Sequence, residues 1–353
     1  MMTLRQFSLP LKNIPTSTSW YLADLGEALG KQELFAKQSP QRLNVLREHA
    51  LIESAVSSSR IEGVMVDQKR IGTIIFGKPH LRDRNEEELQ GYRDALKLIH
   101  EKGEKLSITE DTIRRLHRLI RGEIWDARKY KEKDSDIIEK YPDGRQRVRF
   151  KTVSSADTSS YMSELIIKWN QCLRERWIHP LIAMAASNLD FLCIHPFRDG
   201  NGRASRLLLL LQCYHLGYDV GHYISLERLI EEKKERYYET LEQSSQGWHE
   251  RKHDPWPYIN YIFSILKSAY KEFEKRLGQM KSPRGAKTEL IEVAIDSFSD
   301  EFTLIDVERS CPGVSHDMVR RVLRNLKKTD KIICQGRGPG ARWRKKGNTL
   351  KRG

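Results

Sequence analysis

The stretch between residues 181 and 211 limits what this chain can fold into more than any other. Leu181–Ile194 is an apolar helix that delivers His195 from a rigid element, and a second helix runs from Ala204 through the leucines at 207–211. Between them, Asp199-Gly200-Asn201-Gly202 is a tight loop that opens onto a helix N-terminus. Free backbone N–H groups and the positive end of the helix dipole gather at such a point, which makes it an anion site. Gly200 and Gly202 let the backbone take strained angles and come close to the anion.

The side chains in this stretch fit the same reading. Residues 195–206 are His-Pro-Phe-Arg-Asp-Gly-Asn-Gly-Arg-Ala-Ser-Arg. Arg203 and Arg206 are three apart on the opening turn, a spacing that aims both at phosphate oxygens. Asp199 is a carboxylate beside the expected polyphosphate, the usual means of holding Mg²⁺. His195 is the group here that can take a proton near neutral pH. A base, a metal ligand, a backbone nest and two arginines are the parts of a phosphoryl or nucleotidyl transfer site.

The rest of the chain before residue 280 reads as helix, so the fold class is mainly α. Helices are expected from Pro40, capped by Ser39, to a stop near Gly63, and over 85–101, 109–121, 159–174, 179–193, 201–216, 225–243 and 256–276. Residues 133–155 break the pattern: a Pro-Asp-Gly turn at 142–144 is followed by alternation through Val148, Phe150 and Val153, a β-hairpin signal. Residues 278–285 read as a linker. Beyond it come helices over 287–298, 305–310 and 315–329, a strand at 331–335, a Gly-rich turn and an Arg/Lys strand, the pattern of a C-terminal winged helix-turn-helix. Between Gly313 and Gly353, 13 Lys and Arg stand against Asp317 and Asp330, so most of the net charge of +14 lies there. Such a concentration favours nucleic acid as a partner, with Arg320, Arg321 and Arg324 of the 315–329 helix as the residues expected to touch DNA.

With 39% hydrophobic and 31% charged residues the composition is that of a globular protein. No apolar run approaches the roughly 18 residues that span a membrane, and MMTLRQFSLP lacks the apolar core of a secretory signal. The expectation is a cytoplasmic protein without a membrane partner. Five scattered cysteines with no C-x-x-C pair argue for reduced core thiols rather than zinc or disulfides.

Residues 195–206 match the motif of the Fic family, His-x-Phe-x-Asp/Glu-Gly-Asn-Gly-Arg-x-x-Arg, at every defined position, and the resemblance extends over roughly Ser54 to Leu241. It implies a Fic-type helical core in which the hairpin around Val148, Arg149 and Phe150 is the flap that pairs with the target's backbone. Tyr237 and Tyr238 resemble the segment that lines the adenine pocket. The activity implied is transfer of AMP from ATP to a Ser, Thr or Tyr hydroxyl of a target protein. His195 is the base, Asp199 holds Mg²⁺, and Gly200, Asn201, Gly202, Arg203, Ala204, Ser205 and Arg206 bind the phosphates. Upstream, Ser58-x-x-x-Glu62-Gly63 matches the family's inhibitory motif, Ser/Thr-x-x-x-Glu-Gly/Asn. Ser58 and Glu62 share one helix face, and a carboxylate there can pair with Arg206 and occupy the donors meant for the γ-phosphate. Auto-modification and dimerisation are common among relatives, so modification of itself and a homodimer are expected here.

The expected organisation is an N-terminal helical region over 1–95 with the inhibitory helix at about 40–63, a Fic catalytic domain over 96–277 and a winged-helix domain over 286–347. Two rival readings stand beside AMP transfer. One is a Fic enzyme that moves a different phosphate-containing group, and the other is a DNA-binding transcription regulator whose Fic core only senses nucleotide.

Overall fold

The structure, a computed structural model, describes residues 2–9, 13–36, 40–77, 80–122, 124–140, 143–279, 286–298, 301–311, 314–336, 338 and 340–346. The expected Ser39 cap, the Pro142 of the hairpin turn, most of the linker, the Pro312-Gly313 turn, part of the 336–340 turn and the basic tail lie outside them.

Helices α1 (Thr3–Gln6), α2 (Thr16–Ala36), α3 (Pro40–Ile61), α4 (Gln68–Phe76), α5 (Arg84–Lys102) and α6 (Glu110–Arg121) lead into a hairpin of β1 (Ile137–Lys140) and β2 (Gln146–Phe150). Then follow α7 (Ser155–Glu175), α8 (Pro180–Ile194), α9 (Asn201–His215), α10 (Leu226–Glu232), α11 (Lys234–Ser245) and α12 (Trp256–Gln279). Side chains close the helix starts where the sequence offers a cap: Asp83, Thr109, Ser154 and Ser225 each accept a first-turn backbone N–H.

Every residue of α8 from Leu181 to Ile194 is buried, as is α9 from Arg203 to Tyr214. A helix buried all round has to sit at the centre, and α1, α5, α6, α7, α11 and α12 pack on this pair. Asn188 joins three helices through its side chain: it donates to the Ser205 carbonyl at 2.8 Å and accepts from the Tyr258 hydroxyl at 2.7 Å. Helix α3 lies against α5 and α10, and α2 runs along α12. One continuous core holds side chains from Met2 to Leu290.

The expected single helix over 225–243 is two helices, broken at Lys233 (φ −120°, ψ 34°). Helix α10 packs on α3 and α12, while α11 packs on α12 and α8. Tertiary packing overrides a local pattern that carries neither Gly nor Pro at the break.

The C-terminal elements are α13 (Ala286–Ser297), β3 (Phe302–Thr303), α14 (Leu304–Ser310), α15 (His316–Lys328), β4 (Ile332–Gln335) and β5 (Arg342–Lys345). The strands form an antiparallel sheet in the order β3-β5-β4. They share a second core built on Ile291, Ile295, Phe302, Val319, Val322 and Leu323. A reciprocal capping box between Thr303 and Asp306 starts α14, and Ser315 caps α15. Helix α13 also packs on α12 and α3. Cys172, Cys193, Cys213 and Cys311 are buried free thiols, and Cys334 is half-buried. Among the described residues no helix is long and apolar enough to cross a membrane.

Candidate active site

Helix α8 ends where His195 turns into the left-handed region (φ 52°, ψ 61°). A non-glycine residue there costs roughly 1–2 kcal/mol, and the turn swings the imidazole away from the helix axis. Asn201 holds the loop that follows: its amide donates to the Phe197 carbonyl at 2.7 Å while its oxygen accepts the Phe197 N–H at 2.9 Å. Phe197 stacks face to face on His117, 3.7 Å between ring centres. Because His117 Nδ1 accepts the Arg128 N–H, its Nε2 donates to the Asp199 carbonyl at 2.9 Å. Gly200 is left-handed (φ 82°) at the N-cap of α9, a conformation open to glycine at little cost.

The mouth of α9 meets the end of α3. Arg206, buried at 4% exposure, donates from Nη2 to Glu62 Oε1 at 2.8 Å and to Ser58 Oγ at 3.0 Å. A β-carbon on Gly202 would lie 2.4 Å from Glu62 Oε1, so the carboxylate rests where only glycine leaves room. Burial works against the Arg206 charge, but Glu62, Tyr92 and Tyr237 outweigh it and raise its pKa.

Arg203 faces the other way. Expected beside Arg206, its guanidinium is buried and bound to Glu88 at 2.7 Å. Glu88 also accepts from Arg121 at 3.0 Å, and Arg121 reaches Asp199 Oδ2 at 2.6 Å. The Gly200 N–H bonds Asp199 Oδ1. Burial raises the Asp199 pKa, but Arg121, Arg203 and that N–H hold it below the usual carboxylate value. Among the described residues no three His, Cys, Asp or Glu side chains gather as a metal cage. Asp199, whose side chain is 56% exposed, fits a divalent ion only where phosphate oxygens supply most of the ligands.

A cavity of about 330 Å³ joins these parts, lined by His195, Gly202, Arg206 and Glu62 on one side and Tyr237, Tyr238 and Leu241 on another. Ile137, Ile138, Arg149 and Phe150 of the hairpin close it. Arg147 and Arg149 both grip Glu242 of α11, the first at 2.6 Å. Val148 pairs across the strands with Ile138, and both stay solvent-exposed. His195 is pushed down to about 4, first by burial and then by the Lys131 charge; the Leu192 carbonyl, Glu62 and Asp199 offset only part. The ring is therefore uncharged at neutral pH, the form that accepts a proton.

Residues 107–213 match the Fic/DOC family model, a span that holds His195, the loop and the opening of α9. The chain carries a Fic/DOC domain. Proteins with this domain generally transfer nucleotide or other phosphate-containing groups to proteins. In fold, the chain is similar to a Fic family protein from Desulfovibrio desulfuricans G20, at 20% identity and a TM-score of 0.62, over 96% of this chain and 98% of the other. It is also similar to a Fic domain containing signaling protein from Bacteroides thetaiotaomicron VPI-5482, at 20% identity and a TM-score of 0.61, covering 73% of this chain and 99% of that one. Against Fic-1 (residues 134–508) from C. elegans the identity is 17% and the TM-score 0.56, over 74% and 73% of the two chains.

Several groups around the Fic site do not stand out in the sequence: Glu88, His117, Arg121, Lys131 and Glu242. A signal existed for two of them. On α6 the buried face runs Ile113, Leu116, His117, Ile120, Arg121, so two polar groups sit on an apolar stripe. Buried polar groups at such positions are paired, and here their partners are the carbonyl and carboxylate of Asp199.

Proposed function

We propose that this chain transfers AMP from ATP to a Ser, Thr or Tyr hydroxyl of a protein, its own chain included, and that Glu62 restrains the reaction. The observation that carries the reading is the shared cavity, where an uncharged His195 faces a glycine-lined helix mouth and Arg206, with Tyr237 and Tyr238 opposite. The two tyrosines offer aromatic surface for a purine, and Arg206 with the α9 N–H groups offers donors for phosphate. His195 takes the hydroxyl proton, the oxygen attacks the α-phosphorus, and pyrophosphate leaves with its bond to that phosphorus. The α9 N–H groups stabilise the negative charge that develops. Asp199 is the residue that would hold Mg²⁺, which supplies further charge neutralisation to the phosphates when bound.

Arg203 acts at one remove in this reading, fixing the α9 mouth through Glu88 and Arg121. Glu62 occupies the Arg206 donor that would hold the outer phosphates, so ATP binds with those phosphates out of line for attack. Intact-mass measurement after incubation with ATP separates AMP transfer from transfer of phosphate alone. His195→Ala is expected to keep ATP affinity within a few-fold and to abolish the adduct; an adduct on that variant rules out His195 as the base.

We read the C-terminal unit as a winged helix that docks on duplex DNA and sets the enzyme's location or partner. Arg320, Arg321 and Arg324 are exposed along α15 and support this reading. Changing all three to Gln is expected to weaken retention on duplex DNA. The same change should flatten its salt dependence by about 0.9 in log–log slope for each phosphate the protein no longer neutralises. Retention that ignores the triple change would remove DNA from the account.

A further inference from the structure

Lys131 lies in the segment between α6 and β1 and is 4% exposed. A buried amine needs a reason, since its charge is costly away from water. Its backbone N–H donates to the Pro196 carbonyl at 2.8 Å, and its Nζ donates to the Ile194 carbonyl at 3.3 Å. These two carbonyls flank His195, the residue held in the left-handed conformation. The same Nζ donates to Thr152 Oγ1 at 2.7 Å, and that hydroxyl passes its own proton to the Ser135 carbonyl at 2.7 Å. Ser135 and Thr152 are the two feet of the hairpin, just before β1 and just after β2.

We propose that Lys131 is a positioning residue for His195: it holds the carbonyls of the residues before and after the histidine, ties them to the feet of the hairpin, and keeps a cation close to the imidazole. The role rests on the reading of His195 as the base. Without the side-chain bond to the Ile194 carbonyl, one restraint that holds His195 in the left-handed conformation is lost. The hairpin and the base would also lose their fixed spacing, although both must meet the same hydroxyl-bearing segment. The cation matters as well, because a nearby positive charge disfavours protonation of the ring.

The charged groups facing His195 are Lys131, Glu62 from the end of α3, Asp199 from its own loop, Arg206 from α9, Arg149 from β2 and Glu242 from α11. Lys131 itself is lowered to about 8, mainly by burial, with Asp134 and Asp136 partly offsetting that. The amine is thus charged at neutral pH, and the lysine cation lowers the His195 pKa while the two nearby carboxylates raise it.

Two variants separate grip from charge. Lys131→Gln keeps side-chain hydrogen-bond donors and loses the charge; Lys131→Met loses both, and the backbone N–H bond to the Pro196 carbonyl survives in each. Histidine-selective ¹³C labelling of the full chain, with His195→Ala to assign the signal, follows the ring through a pH titration. The wild-type midpoint is expected near 4, and both variants are expected to raise it by about one pH unit. In a Glu62→Gly background, the acid limb of AMP transfer should move by the same amount. Lys131→Met should also lower the transfer rate tenfold or more while ATP affinity stays within about threefold, because misplacement acts on the reacting geometry. A His195 midpoint unchanged in Lys131→Gln, or full transfer by Lys131→Met, overturns the proposal. Were the Glu62→Gly protein with Lys131 intact to transfer no AMP, the functional reading would fall, and the titration would still decide the role of Lys131.

Discussion

Burial acts on His195 and Arg206 in opposite ways for the chemistry proposed. It keeps the imidazole uncharged down to about pH 4, yet Arg206 stays charged because the Glu62 carboxylate pairs with it. The same penalty falls on other histidines: burial lowers His100 to about 3 and His117, His222 and His253 to about 4. Each is below the ordinary value of about 6.5, so the unfolded chain binds more protons between that pH and about 4. Acid within that window therefore favours unfolding, while above it these groups add no pH dependence. Melting temperature is expected to fall steadily from pH 6.5 to 4; a flat profile through that window would contradict the burial of these rings. At this scale the sequence was informative where the chemistry is contiguous. His195, Asp199, Gly202 and Arg206 declare themselves within 12 positions. The partner of Arg203 did not, because Glu88 lies 115 residues away and only packing brings it near.

Helix α3 shows how an element carries one pair of residues to one place. Ser58 and Glu62 meet Arg206 only if α3 stays in register against the core. Glu53, five residues before Ser58 and 1% exposed, supplies a fixed point. It pairs with His49 at 3.2 Å, Arg276 at 3.2 Å and Arg228 at 3.4 Å. Burial alone would raise the Glu53 pKa, but Arg276, His49 and Arg228 hold it far below the usual carboxylate range. Removing one partner of such a cluster leaves buried charges uncompensated, at a typical cost of 3–5 kcal/mol. Glu53→Ala is expected to lose that much in denaturant unfolding, and a loss under about 1 kcal/mol would mean the cluster does not anchor α3. Most long helices were readable from caps and periodicity. The break at Lys233 was not, since nothing local marks it. Nor was β3, whose two residues become a strand only by pairing with Arg342 and Trp343.

Over the whole molecule, two cores meet at α13, which carries Leu290 of one and Ile291 and Ile295 of the other. Residues 2–290 share one interior, and the C-terminal unit has its own. Cys311 of that second core donates its thiol to the Leu290 carbonyl at 3.8 Å, and α13 rests on α3 and α12. Likeness of fold to the D. desulfuricans protein covers 96% of the chain, so it runs through the C-terminal unit as well. In this arrangement one helix has the Fic cavity at its end and the basic unit along its side. In the proposed reaction the cavity moves AMP, and Glu62 holds it back by engaging Arg206. The measurement that tests it is the intact mass of three purified proteins after incubation with ATP: wild type, Glu62→Gly, and Glu62→Gly with His195→Ala. A several-fold greater AMP adduct is expected on Glu62→Gly than on wild type, and none on the double variant. An adduct of phosphate alone, no gain on Glu62→Gly, or an AMP adduct surviving on the double variant would contradict it.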